Sequence, residues 1–106
     1  MSESKDIKKQ FVRLRDWGCI VFNYNSNKPN NAGIKGHPDW LILTSKMSLV
    51  FIEVKIGKDK VSEDQHKVIN RLASIMGLPN SKVYIFIVHN VKEAEILSDR
   101  IQKREL

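Results

Sequence analysis

Apolar and polar positions alternate between two periods along this chain, and the switches between them mark its elements. Ile7, Phe11 and Leu14 recur at helical spacing within residues 3–17, with Ser2 or Ser4 available as N-cap and Gly18 as the stop. Cys19 to Tyr24 reads as a strand, followed by a polar, turn-rich loop from Asn25 to Gly36. A loop of this length in a small domain is more often functional than a plain connector. Trp40 to Thr44 forms a second strand, and Ser45-Lys46-Met47-Ser48 turns it back into a third, Leu49 to Ile56. Ser62-Glu63-Asp64-Gln65 is a capping box, opening a helix with the stripe Val68, Leu72, Ile75 and Met76 that ends at Gly77 and Pro79. Val83 to Val88 is another apolar, β-branched strand. Asn90 with Glu93 caps a last helix carrying Ala94, Leu97 and Ile101. The order α-β-β-β-α-β-α predicts an α/β fold in one domain over residues 1–106: a central mixed sheet flanked by helices.

The third strand breaks its own pattern. Leu49 to Ile56 is apolar on both faces, as in a strand covered on both sides. Side chains alternate, so Glu53 and Lys55 share a face with Leu49 and Phe51, while Val50, Ile52, Val54 and Ile56 take the other. A lone charge on a covered face costs several kcal/mol unless it is paired or bound to a metal. Asp39 lies fourteen positions before Glu53, at the start of the partner strand, and a short hairpin folds the two into adjacency. Two carboxylates then converge beside an ammonium. Hard cations such as magnesium take one or two protein carboxylates and leave the rest of their shell to water and substrate phosphate. A bound ion would let both acids occupy one site, and a buried Glu53–Lys55 ion pair is the purely structural alternative.

At 106 residues, 42% hydrophobic and 28% charged, the composition is that of an ordinary globular domain. A net charge of +6 adds a preference for polyanions, nucleic acid before acidic membranes. Residues 1–35 hold seven Lys/Arg against three acids, which puts a basic face on the first helix, Lys8 and Lys9 included. Lys28 and Lys35 on the long loop are candidate phosphate contacts. Gly33 and Gly36 flank Ile34-Lys35, where backbone amides could meet DNA, although the spacing fits no P-loop and turn chemistry also explains it. Cys19 is the single cysteine, which excludes an intrachain disulfide. His37, His66 and His89 match no zinc spacing. Neither a secretory signal nor an apolar run of about 20 residues is present, so a cytoplasmic protein without a membrane partner is expected.

Gly36-His37-Pro38-Asp39, then Phe51-Ile52-Glu53-Val54-Lys55, then Ser62 and Gln65 on the next helix, together resemble the PD-(D/E)XK nuclease superfamily. More narrowly, the chain is similar to a stand-alone VRR-NUC domain, the virus-type replication-repair nuclease module, from the first helix through Val88. The resemblance implies a restriction-endonuclease-like core and a metal-dependent phosphodiesterase acting on DNA. Asp39 and Glu53 would be ligands for Mg2+ or Mn2+, joined by the backbone carbonyl of Val54, with Lys55 as the catalytic lysine. It also implies Glu3 as a first-helix acid supporting the metal site and Gln65 as a cleft-lining residue, beside Ser62. Ser62 and Gln65 are explained equally by helix capping. Small stand-alone members look like homodimeric Holliday-junction resolvases, which makes branched DNA the expected substrate and a second copy the expected partner. A non-catalytic basic nucleic-acid-binding module, or a restriction- or toxin-type nuclease on the same fold, are the competing readings.

Overall fold

The structure is a computed structural model and describes residues 3–24 and 36–106. Ser2, Lys28, Gly33 and Lys35, and with them most of the predicted loop, lie outside those residues. The first helix, α1, spans Glu3–Val12. It does not continue to residue 17 as an α-helix: Arg13–Trp17 tightens into a 3₁₀ turn. Helix C-termini often tighten in this way. The turn keeps Leu14 on the buried stripe, and Gly18, at φ 82°, ends it in the left-handed conformation glycine tolerates.

Four strands follow among the described residues: β1 Ile20–Asn23, β2 Trp40–Leu43, β3 Leu49–Val54 and, after α2 (Glu63–Met76), β4 Val83–Val88. Each of the first three is shorter than the sequence suggests, as expected where pairing and not side-chain pattern sets the end. α3 spans Val91–Gln102. The sheet order is β1-β2-β3-β4. β1, β2 and β3 pair antiparallel, and β3 pairs parallel with β4 through the α2 crossover. The predicted mixed sheet is therefore observed.

The register Trp40↔Ile52 and Ile42↔Val50 puts these four side chains on one face, joined by Val21 and Val88. α1, the 3₁₀ turn after it and α3 cover that face with Ile7, Phe11, Leu14, Ala94, Leu97 and Ile101. Phe11 meets Trp40 edge-on, ring centroids 5.4 Å apart, an arrangement aromatic pairs favour. The opposite face differs from expectation. α2 packs against β4 and no residue of it is fully buried, so the β1–β2 side of this face keeps Ile20 and Phe22 exposed. β3 is thus fully covered on one face and partly on the other.

Candidate active site

The hairpin register explains why two acids meet. Continuing the Trp40↔Ile52 pairing outward by one step sets Asp39 opposite Glu53, and by two steps Pro38 opposite Val54. Thr44 donates its N–H to the Ser48 carbonyl, so every second pair from there, including 40/52 and 38/54, is of the hydrogen-bonded type. Asp39 and Glu53 fall on the non-hydrogen-bonded type, in which facing side chains approach more closely.

Proline then ends the ladder. It has no N–H to give the Val54 carbonyl. Val54 turns its own N–H to Asp39 Oδ2 at 2.8 Å, while the Pro38 carbonyl pairs with His37 Nδ1 at 2.9 Å. The Val54 carbonyl, on the same side of the strand as its N–H, is left facing the end of β2 without its ladder donor. The Pro-Asp sequence thus aims one carboxylate and strips one carbonyl in a single step.

Glu53 is 1% exposed. Its Oε1 accepts a hydrogen bond from Gln65 Nε2 at 2.9 Å and lies 3.6 Å from Lys55 Nζ, itself on a side chain only 16% exposed. Its Oε2 is buried with no hydrogen-bond partner among the described residues. Burial, reinforced by the charge and proximity of Asp39 and only partly opposed by Lys55, pushes the Glu53 carboxyl up to about 8. An orphaned buried oxygen in a carboxylate that cannot comfortably ionise beside another is a cation-shaped deficit. The donor set of Glu53, Asp39 and the Val54 carbonyl is all oxygen, the kind hard divalent ions prefer.

Gln65 serves the helix and the carboxylate together. Its N–H donates to Ser62 Oγ and its Oε1 accepts from the Ser62 N–H, completing the capping box, while Nε2 reaches Glu53. The capping reading is present, and the same side chain also reaches the Glu53 carboxylate. Gly36 touches the same turn by close backbone packing against Asp64 and Gln65.

Glu3 sits at another helix end. Its Oε2 accepts the Val91 N–H at 3.2 Å, at the start of α3. A cleft of about 310 Å³ opens over Asp39 and Val54 and is lined from α1 by Ser4 and Lys8, with Tyr24 and Asp59 on its rim. Lys9 lies with Lys5, Lys8 and Arg13 along a shallow groove on the outer side of α1. Asp59 and Tyr24 were not singled out by the sequence. Asp59 stands in a Gly-Lys-Asp-Lys turn that reads as solvent-facing, and only the path of the chain after β3 brings it to the cleft. No helix among the described residues is long and apolar enough to cross a membrane.

No protein-family model matches the sequence, and no curated protein does. A solved structure described as a VRR_NUC domain does match in three dimensions, with a TM-score of 0.67 at 22% identity over 92% of this chain and 94% of that one. The expected restriction-endonuclease-like α/β fold is the fold this chain shares with that VRR_NUC domain.

Proposed function

We propose that this chain is a divalent-metal-dependent endodeoxyribonuclease of the PD-(D/E)XK type, cutting branched DNA as a homodimer in the manner of a Holliday-junction resolvase. The observation that carries the reading is the buried Glu53 Oε2, without a partner among the described residues, set against Asp39 at the end of the hairpin. The fold shared with a VRR_NUC domain supports it.

Asp39, Glu53 and the Val54 carbonyl would hold Mg2+ or Mn2+. Such an ion, when bound, acidifies a coordinated water and polarises the scissile phosphate. Gln65 fixes Glu53 by donating to Oε1, which leaves Oε2 free to serve as the ligand atom. The Val54 N–H does the same for Asp39 by engaging Oδ2. Lys55, held against Glu53 and largely shielded from water, presents an ammonium that orients the attacking water or neutralises charge building on the phosphate oxygens. Lys8 on the cleft wall and Lys9 further along α1 contact the DNA backbone, as do Lys28 and Lys35.

The decisive experiment is cleavage of matched linear, flap and four-way substrates with and without Mg2+ or Mn2+. Asp39→Asn and Lys55→Ala should bind the junction but not cut it. Binding by the wild type without cleavage under any metal condition would move the protein to the non-catalytic class. Sedimentation should show a dimer at assay concentrations, and a monomer there would remove paired cutting of a junction.

A further inference from the structure

Glu53 is held in place through a relay that begins at a glycine with no room for a side chain. Gln65 uses both ends of its amide: Oε1 takes the Ser62 N–H at 2.9 Å and Nε2 gives to Glu53 Oε1 at 2.9 Å. Turning the amide over would point a donor at a donor and an acceptor at an acceptor, so its orientation is locked. The lock depends on where the first turn of α2 sits. That turn rests on Gly36, three residues before Asp39. A Cβ built on Gly36 would stand 2.5 Å from the Asp64 carbonyl carbon, 2.6 Å from its oxygen and 2.8 Å from the Gln65 nitrogen. All three are backbone atoms, so no flexible side chain can give way. The Gln65 nitrogen is also the donor of the capping bond to Ser62 Oγ. Gly36 has φ +87°, which disfavours a side chain independently of space.

We propose that Gly36 is a positioning residue for the cation site. Its bare backbone lets the loop that carries Asp39 and the helix that carries Gln65 meet directly, so that Gln65 reaches Glu53 and the two carboxylates are held as a matched pair. This rests on the metal-site reading above. Any side chain at position 36 lifts the α2 N-terminus, draws Gln65 from Glu53 and loosens one ligand while leaving every ligand in the chain.

The test is Mn2+ binding to the full chain, measured by calorimetry without DNA. Gly18→Ala is the control: Gly18 has nearly the same φ, +82°, but its added Cβ would meet only Ser45 Cβ at 3.7 Å, an ordinary contact. It therefore carries the backbone strain without the collision. Gly36→Ala should weaken Mn2+ binding about tenfold or more, the usual effect of disturbing a group that orients a ligand. Gly18→Ala should stay within about twofold of wild type. Gln65→Ala should reproduce the Gly36→Ala loss, and the double variant should add little to either, because both act through one hydrogen bond.

Wild-type affinity in Gly36→Ala, or additive losses in the double variant, overturns the proposal. Should Gly36→Ala fail to fold, Gln65→Ala decides alone, since unchanged Mn2+ binding there removes the relay. A wild type that binds Mn2+ and cuts DNA while Gly36→Ala matches it defeats the positioning role only. A wild type that binds no Mn2+ defeats the metal site and the positioning role together.

Discussion

Glu53 is a carboxyl that folding makes a poor acid, and the sign of its effect on stability follows directly. Its folded value of about 8 lies above the ordinary 4.5. Between those values the native state keeps a proton that the unfolded chain has released, so stability falls as pH rises. The contribution is complete below about pH 4.5 and is lost as pH climbs through 8. Urea denaturation of the metal-free protein should show a decrease of a few kcal/mol from pH 5 to pH 8.5. Glu53→Gln, which cannot ionise, should flatten that dependence; an equally steep fall in the variant would place its origin elsewhere. Because a cation needs the ionised carboxylate, added Mn2+ should raise the melting temperature more at pH 8.5 than at pH 5. Glu3 offers the contrasting case of an acid satisfied by backbone. Replacing Glu3 with Ala removes the acceptor for the Val91 N–H and should cost about 1 kcal/mol in stability. Mn2+ affinity measured on the same variant tests the metal-supporting role that the resemblance implies for Glu3: a parallel loss supports it, and unchanged affinity leaves Glu3 a structural cap.

At the scale of elements, the end of β2 is where strand pairing gives way to the candidate site. Pro38 withholds a ladder hydrogen bond from Val54, and Asp39 takes the N–H that the ladder no longer uses. Pro38→Ala supplies an N–H able to donate to the Val54 carbonyl and extends the hairpin by one pair. The expected outcome is an intact fold, no less stable than wild type, with weaker Mn2+ binding and slower cleavage. Calorimetry and urea denaturation on one preparation separate the two effects, and unchanged affinity would show that the carbonyl is not used. That a short hairpin brings Asp39 close to Glu53 was legible in the sequence, but the register was not: a four-residue turn over 45–48 would set Asp39 opposite Val54, whereas Thr44 pairs with Ser48 across a three-residue turn and Asp39 falls opposite Glu53. What Pro38 does was not legible either, since it depends on which pairs are hydrogen-bonded, a parity that residue types do not reveal. The 3₁₀ turn at Arg13–Trp17 escaped for a similar reason: Ile7, Phe11 and Leu14 form the same stripe whether the last turn is α or tighter. α2 shows the limit from the other side. Its Val68, Leu72 and Ile75 stripe predicts a helix correctly, yet amphipathic spacing cannot say how completely a sheet covers it.

At the scale of the whole molecule, one face is packed, one is half open, and positive charge gathers on α1 at the cleft. Lys8 belongs to both the cleft wall and the groove that Lys5, Lys9 and Arg13 line on the outer side of α1, which makes it the link between the acidic site and the basic surface. The site alone would repel DNA, since Asp39 brings one carboxylate toward a phosphate and Glu53 a second once it ionises. On the proposed nuclease reading, the net charge of +6 would offset that repulsion at distance and a bound cation would cancel it on contact. The two contributions separate experimentally. Binding to the basic surface releases counterions, so affinity for DNA should fall steeply with salt. Lys8→Ala should weaken linear and branched DNA alike and lower the slope of log K against log salt by about one, as expected for one phosphate contact. Asp39→Asn should leave that slope unchanged and, without Mg2+, should bind DNA at least as tightly as wild type because a repelling charge is gone. Equal slopes for Lys8→Ala and wild type would detach the α1 surface from the DNA path and leave the cleft to be approached from the open face of the sheet.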